Sequence, residues 1–375
     1  METMFWLGFG GVAYAYFGYP LLLAAWSRIR PCPVETGGVE LPPVTVILPV
    51  HNEEGQLPGR LDNLLALDYP VDRMEILVVS DGSSDGTVAI ATRYQAADPR
   101  VRLVELRERA GKGNALNEGV RTAGNDVVVF TDAGILLERE SLRALVAPFA
   151  DPTVGCVSGE DTIAGSGGEA LYGRYELLLR RLEGQVRSIV GASGSIYAQR
   201  RELCPEFREG MAPDFLSVLH TVEQGYRAIS VEDARGEMRA VSGHGREFSR
   251  KVRTLIRGMT VLGAYSHLLN PVRYGTFSWI LFSHKMMRWL VPFFLVMMLV
   301  GNAALLDSPF YRGLAIPHGL FYLLGVGALM GLPLLRSLLP ARIAAYFVNV
   351  NASIAVAGWQ FLRGQRMEIW APTRR

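Results

Sequence analysis

The chain has 375 residues, with 38 Lys and Arg against 36 Asp and Glu, and a formal net charge of +2 at pH 7. This near balance argues against a nucleic-acid-binding protein. Three cysteines without metal-like spacing, Cys32, Cys156 and Cys204, predict buried structural thiols in a reducing compartment. A mean hydropathy of +0.18 is high for a soluble enzyme, and the apolar excess lies at the two ends of the chain.

The N-terminal segment predicts a membrane anchor. Met4–Trp26 is uncharged and long enough to cross a hydrocarbon core of about 30 Å. It lacks the basic start and the small-residue cleavage site of a signal peptide. Arg28 and Arg30 follow directly, which predicts a cytoplasmic C-terminal end. We therefore assign 1–30 to an N-terminal transmembrane anchor and 31–43, rich in proline and glycine, to a linker.

The next 202 residues, 44–245, alternate apolar β-branched runs with helical stretches. This alternation predicts an α/β domain with a parallel sheet flanked by helices. The predicted strands are 44–49, 75–80, 101–105, 126–131, 154–158, 195–198 and 227–231. The predicted helices are 54–67, 85–97, 112–123, 139–150, 168–188 and 214–225.

The remainder of the chain returns to the membrane. Residues 246–288 interleave basic and apolar side chains at helical spacing, which predicts an amphipathic interface segment or, alternatively, a plain surface helix. In the C-terminal transmembrane region, 289–362, two apolar runs predict spans: Trp289–Leu306 and Leu314–Leu335. The third run, 341–362, carries Asn349 and Asn351, and we expect it to be interfacial or re-entrant. Four spans would place the basic tail, 363–375, outside, whereas its arginines favour the inside.

Four polar segments stand in order between and after the predicted strands. They are Pro49-Val50-His51-Asn52-Glu53, Ser80-Asp81-Gly82-Ser83-Ser84-Asp85-Gly86-Thr87, Gly111-Lys112-Gly113-Asn114-Ala115-Leu116-Asn117 and Thr131-Asp132-Ala133-Gly134. Open α/β sheets bind ligands where strands end, and carboxylates and glycines there suit a nucleotide diphosphate. From residue 44 to about 289 this pattern resembles the inverting family-2 glycosyltransferases, including bacterial exopolysaccharide, cellulose and hyaluronan synthases. The resemblance implies a GT-A fold, a Rossmann-like nucleotide-binding α/β domain.

The resemblance also implies a donor site. The residues it assigns to the nucleotide sugar are Pro49, Asn52, Glu53, Asp81, Lys112, Asp132 and Arg288. Asp81 would contact the uridine half of the donor, although a turn or helix-cap carboxylate is the alternative. Lys112 would add charge beside the phosphates at a helix N-terminus. Asp85 is expected to be a helix cap.

Asp132 takes the place of the family's metal and ribose carboxylate. The usual family pattern is Asp-x-Asp, and here Gly134 occupies the third position. One metal ligand of the family is thus missing. We expect Mg²⁺ or Mn²⁺ at Asp132, completed by diphosphate oxygens and water.

The acceptor side is indicated by later residues. Asp214 stands where the family has its catalytic base, with Pro213 in place of a second acidic residue. An N-cap for the following helix is the alternative. Ser193 and Gly194 resemble the acceptor-side loop. Two further acidic candidates, Glu160 and Asp161, carry no assigned role.

The segment Lys285-Met286-Met287-Arg288-Trp289 resembles the Gln-x-x-Arg-Trp motif of membrane polysaccharide synthases. The resemblance implies that Arg288 meets the diphosphate and that Trp289 stacks on the acceptor sugar. An ordinary Arg-Trp membrane anchor is the alternative.

Together these features predict inverting transfer from a UDP-sugar to a polysaccharide or lipid-linked saccharide at the cytoplasmic face of a bacterial inner membrane. The sequence leaves two alternatives open. One is transfer of a single sugar to a polyprenyl phosphate or glycolipid. The other is a catalytically inactive scaffold of an exopolysaccharide complex. So few spans favour a partner subunit of an export complex, or a second copy, over a pore within one chain.

Overall fold

The computed structural model describes residues 1–35, 40–163, 168–238 and 244–365. The strands within these ranges are β1 (Val44–Val50), β2 (Met74–Asp81), β3 (Val101–Leu106), β4 (Val127–Thr131), β5 (Ile135–Leu137), β6 (Val154–Ile163), β7 (Ile196–Arg200) and β8 (Arg227–Met238). The helices of the α/β domain are α3 (Leu57–Leu65), α4 (Thr87–Ala97), α5 (Lys112–Thr122), α6 (Ser141–Val146), α7 (Gly168–Val186) and α8 (Pro213–Glu223).

The other helices flank this domain in sequence. Before it come α1 (Glu2–Ala13) and α2 (Tyr19–Ile29), joined by a π-helical turn. After it come α9 (His244–Ala264), α10 (Pro271–Tyr274), α11 (Thr276–Leu281), α12 (Met287–Ala303), α13 (Pro309–Leu329), α14 (Pro333–Ser337) and α15 (Leu339–Leu362). A second π-helical turn, Phe282–Met286, links α11 to α12.

The strands form one sheet in the order β3-β2-β1-β4-β7-β6-β8-β5. From β3 to β4 all neighbours are parallel, as the alternation of strand and helix predicts. Their carboxyl ends therefore meet at one edge, where β1 ends at Val50, β2 at Asp81 and β4 at Thr131. This edge places three of the four polar segments side by side.

The parallel pairing predicted from the alternation ends at β4, and the second half of the sheet is mixed. The strand β7 runs antiparallel to both β4 and β6, and β5 runs antiparallel to β8. An apolar run marks a strand but carries no information on its direction, because side chains alternate across the sheet in either orientation. The strand β5 has only three residues, Ile135–Leu137, and was too short to predict.

Helices cover both faces of the sheet and bury two apolar layers. On one face Leu57, Leu61 and Leu64 of α3 pack with the even-numbered residues of β1. On the other, Leu116 of α5 and Leu219 of α8 pack against the opposite side chains. The three cysteines are free, and Cys156 is fully buried in β6. The sheet edge with the polar segments is thereby held between two packed layers.

Within the described residues, four helical segments are long and apolar enough to cross a membrane. They are Glu2–Ile29, Thr276–Ala303, Pro309–Leu329 and Leu339–Leu362. The second begins at Thr276 rather than at Trp289, because α11, the π-helical turn and α12 follow one another without a break. Within it, His284 is buried and pairs with Glu183 of α7. The first packs on the second, where Cβ atoms at Gly8 and Gly11 would clash with Met298 and Phe294.

Of the two forms predicted for 341–362, the re-entrant one is wrong, because α15 is an unbroken helix, and the interfacial one stays a prediction. Asn351 is buried and donates to the carbonyl of Phe347, so its amide does not face lipid. The helix lies along α9, where Ala357 and Phe361 pack with Ile256. Most of the predicted basic tail, from residue 366 onward, lies outside the described residues.

Candidate active site

The first two polar segments are joined to each other by hydrogen bonds. Asn52 adopts a left-handed backbone with φ 54°, and its Oδ1 accepts from the backbone N–H of Ser84 at 2.8 Å. Glu54 accepts from the N–H of Gly86 at 2.8 Å. Asp85 accepts from the N–H of Thr87 at 3.0 Å, but the N-cap residue of α4 is Gly86, so the prediction of Asp85 as the helix cap is wrong by one residue. These bonds fix the loop after β1 against the loop after β2.

Asp81 holds the third segment in place. Its two carboxylate oxygens accept backbone N–H groups of Ala110 at 2.8 Å and of Gly111 at 2.9 Å. The side chain is buried, and its carbonyl pairs with Nδ1 of His51 at 2.6 Å. A contact of Asp81 with the nucleotide stays a prediction, and the structure adds that this carboxylate shapes the loop before α5.

Gly111 makes the turn into α5 with φ 93°, a backbone region that favours glycine. A Cβ at this position would also clash with the carboxylate of Glu209. The turn brings Lys112 to the first position of α5, where its Nζ lies 2.6 Å from Oδ1 of Asp132. The third and fourth polar segments thus meet as an ion pair.

A buried arginine that the sequence analysis did not single out supports this pair. Arg60 of α3 is 1% exposed and donates from Nη2 to Oγ1 of Thr131, at 2.7 Å. Burial lowers the pKa of Arg60 to about 9, while the neighbouring Asp132 raises it. Arg60 therefore brings a fixed positive charge to the strand end that carries Asp132.

Asp214 lies in the first turn of α8, and its side chain does not act as the cap. The N-cap residue is Ala212, so the alternative of an N-cap at Asp214 is wrong. Burial raises the pKa of Asp214 above its usual value, whereas Lys112 and Lys285 nearby lower it. A carboxylate with a raised pKa is better suited to accept a proton than an ordinary surface aspartate.

One cleft of about 380 Å³ joins these groups. Its walls include Pro49, Lys112, Asp132, Asp161, Gly194, Asp214, Arg250 and Arg257. The last two come from α9, which closes the cleft from the side of the membrane helices. Because the cleft combines three carboxylates with three cations, it can bind a charged ligand and move a proton within one space.

Ser193 and Gly194 divide the loop before β7. The Oγ of Ser193 is buried and accepts from the N–H groups of Ser195 and Ile196, at 3.1 and 3.3 Å. Gly194 lines the cleft, and a Cβ there would lie 3.9 Å from Cγ of Asp214. Ser193 therefore shapes the loop while Gly194 faces the base candidate. Contact of either residue with an acceptor stays a prediction.

Arg288 and Trp289 lie outside the cleft, at a second cavity of about 320 Å³ that we name the membrane-side cavity. Arg288 is 6% exposed and donates from Nη1 to Glu176 and to the hydroxyl of Tyr172. Trp289 packs on α9 beside Ile256. The structure thus does not bring Arg288 to Asp132, and its contact with the donor diphosphate stays a prediction.

Of the two acidic candidates without an assigned role, Glu160 and Asp161, only the second lines the cleft. Glu160 is 2% exposed and forms a two-bond pair with Arg181, at 3.0 and 2.9 Å. Asp161, the next residue along β6, lines the cleft. The alternation of a strand accounts for this difference, since neighbours point to opposite faces.

The side chains of the cleft fit a metal ion that is held by one protein carboxylate and mainly by the oxygens of a bound diphosphate. Among the described residues no three His, Cys, Asp or Glu side chains come together as a metal cluster. Asp132 is 38% exposed, so its carboxylate is open to the cleft. Mg²⁺ is commonly bound by one or two carboxylates together with phosphate oxygens and water. Asp132 suits that arrangement, whereas Gly134 supplies no carboxylate at the third position of the usual pattern.

Comparisons with known proteins relate this chain to glycosyltransferases. Residues 45–197 match the model of Glycosyl transferase family 2. Poly-beta-1,6-N-acetyl-D-glucosamine synthase of Staphylococcus aureus (strain MSSA476) is 34% identical over 125 residues, 33% of this chain and 30% of that protein. Beta-monoglucosyldiacylglycerol synthase of Synechocystis is 34% identical over 128 residues, 34% of this chain and 27% of that protein. The chain thus aligns with less than a third of the length of these curated relatives.

A solved structure aligns over almost the whole chain. Mannosyltransferase PcManGT from Pyrobaculum calidifontis, in complex with GDP-Man and Mn²⁺, covers 97% of this chain and 100% of its own, with 27% identity and a TM-score of 0.71. The mixed sheet and the long apolar helices on either side of it define a GT-A glycosyltransferase. Residues 45–197 are the part of the chain that matches glycosyl transferase family 2, and the chain is related to the two synthases named above. The predicted family, fold and enzyme class are confirmed.

Proposed function

We propose that this protein transfers a sugar from a UDP-sugar to a polysaccharide or lipid-linked saccharide, with inversion, at the cytoplasmic face of a bacterial inner membrane. The observation that carries the proposal is the joining of Lys112, Asp132 and Asp214 in one cleft. The curated relatives are named as synthases of a polysaccharide and of a glycolipid, which supports both acceptor classes. The solved mannosyltransferase holds GDP-Man, so GDP-sugars belong in the test beside UDP-sugars.

In this mechanism Asp214 takes the proton of the acceptor hydroxyl. The acceptor oxygen forms a bond to the anomeric carbon of the sugar on one face, while the bond to the diphosphate breaks on the other. The diphosphate leaves with the electron pair of that bond, and the single displacement inverts the anomeric carbon. Lys112 and Arg257 line the cleft as cations and would stabilise the departing charge.

Asp132 would hold Mg²⁺ or Mn²⁺ together with diphosphate oxygens. A bound ion would supply Lewis-acid stabilisation of the leaving group. The contribution of this chain is the exposed carboxylate and the two cations near it: Lys112 pairs with Asp132 directly, and Arg60 bonds to Thr131 just before it. Both positive charges remain beside the phosphates whichever ion binds.

A single-sugar transfer to a lipid is the second candidate. It is favoured by the membrane-side cavity, which lies next to the cleft and between helices long and apolar enough to cross a membrane. Such a cavity would place the head of one lipid beside Asp214. The described helices give four candidate spans, few for a polymer channel within one chain.

The experiment is release of UDP or GDP by the full-length protein in detergent with added membrane lipid. UDP-sugars and GDP-sugars are scanned with Mg²⁺, with Mn²⁺ and with EDTA. We expect turnover of one donor, lost with EDTA and reduced by about 100-fold or more in Asp132→Asn and Asp214→Asn. The matched control is Asp126→Asn, whose side chain is 99% exposed.

Three outcomes would contradict the proposal. Full turnover in Asp214→Asn would exclude this residue as the base. Turnover of a GDP-sugar alone would contradict the UDP-sugar as donor and leave the proposed roles of Asp132 and Asp214 unchanged. No turnover of any donor, together with unchanged function in cells of the Asp132→Asn and Asp214→Asn double variant, would favour the inactive scaffold.

A further inference from the structure

The membrane-side cavity has an unusual charge for its place in the fold. Four cationic side chains line it, and Glu176 is the one carboxylate among its described lining residues. The four cations are Arg250, Lys251, Lys285 and Arg288. Glu176 is already bound to Arg288 and to His284. The cavity is therefore positive, and its only described negative group is occupied.

Two of these arginines carry buried donor groups without a partner. Nε and Nη2 of Arg288 and Nε of Arg250 have no hydrogen-bond partner among the described residues. A buried N–H without an acceptor has lost its bond to water and gained none in return, so such groups favour binding of an acceptor. The planar fork of arginine matches the oxygens of a phosphate or carboxylate. The chemistry of the cavity thus favours an anion with several acceptor oxygens.

The position of the cavity indicates how this anion arrives. Its walls come from α7, α9, α12 and α15, and the last two belong to segments that are long and apolar enough to cross a membrane. Leu255, Val350 and Ile354 supply apolar lining close to the cations. Tyr346, with Lys251 over its ring at 4.3 Å, is of the type found at membrane interfaces. A positive head site beside an apolar wall suits an anion attached to a lipid chain.

The cavity also communicates with the cleft. Arg250 and Thr254 line both spaces, so α9 forms a shared wall. Lys285 lies across this wall, with its Nζ 5.1 Å from the ring centre of Phe215, the residue after Asp214. If the anion of a lipid head group is bound in the cavity, the end of the head group away from the lipid chain would therefore lie beside Asp214.

We propose that the membrane-side cavity binds the phosphate of a lipid-linked acceptor, so that the acceptor is a lipid phosphate or diphosphate bearing a sugar hydroxyl. This inference rests on the proposed function and narrows its acceptor. The phosphate is a binding handle and does not react. The hydroxyl beyond it enters the cleft, loses its proton to Asp214 and attacks the donor sugar.

Binding tests this inference without turnover. The full-length protein in detergent is titrated with a polyprenyl phosphate, with the matching polyprenol and with inorganic phosphate, in the absence of any donor. We expect the polyprenyl phosphate to bind at least about tenfold more tightly than either other probe, because only it combines the anion with the apolar chain. Equal binding of the polyprenol, or of inorganic phosphate, would overturn the inference.

Variants assign the binding to the cavity. Lys251→Gln and Arg288→Gln remove cations that line the membrane-side cavity and not the cleft. Each should weaken polyprenyl phosphate about tenfold or more, and Lys251→Gln, at a residue with no assigned role in donor binding, should change UDP affinity less than twofold. Arg253→Gln is the control, because Arg253 lies on α9 but lines neither space.

If Arg288→Gln does not fold, Lys251→Gln alone decides. Unchanged lipid affinity in Lys251→Gln would place the phosphate elsewhere and overturn the inference. The two proposals fail separately. Nucleotide release without lipid-phosphate binding would refute the lipid-phosphate site and leave the proposed sugar transfer standing. Lipid-phosphate binding without any nucleotide release would support the lipid-phosphate site and refute the proposed sugar transfer.

Discussion

Asp81 offers the sharpest test of how the site is built. Both of its carboxylate oxygens accept backbone N–H groups, from Ala110 and Gly111. An asparagine at this position keeps one acceptor oxygen for one of these backbone N–H groups. Its NH₂ group faces the other backbone N–H, which loses its acceptor. A hydrogen bond to a charged group contributes about 1.5–3 kcal/mol, and a buried unpaired N–H adds a further cost. Asp81→Asn should therefore lower the free energy of unfolding by about 3 kcal/mol.

The readout must follow the α/β domain itself. Trp6, Trp26, Trp279, Trp289 and Trp359 lie in the apolar segments outside it, and Trp370 is outside the described residues, so tryptophan fluorescence would report the wrong region. Cys156 is fully buried in β6 and becomes reactive when the sheet opens. A dye that fluoresces on reacting with thiols gives the midpoint of this opening. For a domain of about 200 residues, 3 kcal/mol corresponds to about 6–12 °C.

The measurement is made on nucleotide-free protein. Asp126→Asn makes the same chemical change at a side chain that is 99% exposed, and its midpoint should stay within about 1 °C of the parent. An unchanged midpoint in Asp81→Asn, with lost nucleotide affinity, would refute this reasoning. The carboxylate would then act on the ligand alone and not on the loop.

Two further predictions concern the charge of Lys112 and the packing of two glycines. Lys112→Met removes a charge that lowers the pKa of Asp214, so that pKa should rise further. Because the base works ionised and activity falls as pH drops through its pKa, the acid limb of the kcat/KM profile should move to higher pH; a limb that stays fixed would exclude this coupling. Gly119→Ala places a Cβ 2.5 Å from Cγ2 of Ile47 and should destabilise the domain by about 1–3 kcal/mol. Gly59→Ala, with nothing within 4 Å, should raise stability by about 0.5–1 kcal/mol, and equal thiol-dye midpoints for the two variants would contradict the packing.

Three strands of the parallel half, β1, β2 and β4, were predictable because they are buried on both faces. Such strands read as continuous apolar runs, as in Val127-Val128-Val129, and the alternation with helices sets their direction. The antiparallel half was not predictable in this way. The pairing of β4 with β7 joins residues about 70 positions apart, and no local pattern records it.

The candidate site was predictable as a set of positions but not as a set of contacts. Asp132 and Lys112 could be placed at strand and helix ends from sequence, whereas their ion pair depends on the turn at Gly111. The bonds from Asp81 reach 29 and 30 residues along the chain. Distances of this kind are set by packing, which a single sequence does not display.

The burial of Arg60 could have been predicted from the spacing of the leucines around it. Leu57, Leu61 and Leu64 recur at the spacing of the buried face of α3, and Arg60 lies on that face. An arginine at an apolar position must be buried with a partner or a ligand. Arg257 was predicted only as part of a basic stretch, since its exposure to the cleft depends on where α9 docks.

The packing of α1 on α12 has a consequence for how the protein is made. At about 5–20 residues per second, the chain between these helices takes roughly 15–60 s to synthesise. During that time the face of α1 around Gly8 and Gly11 has no partner, because Phe294 and Met298 do not yet exist. A ribosome that stops before residue 287 leaves every strand of the sheet complete beside an orphaned first helix. The earliest helix of this enzyme therefore gains its partner only after every strand of the sheet has been made.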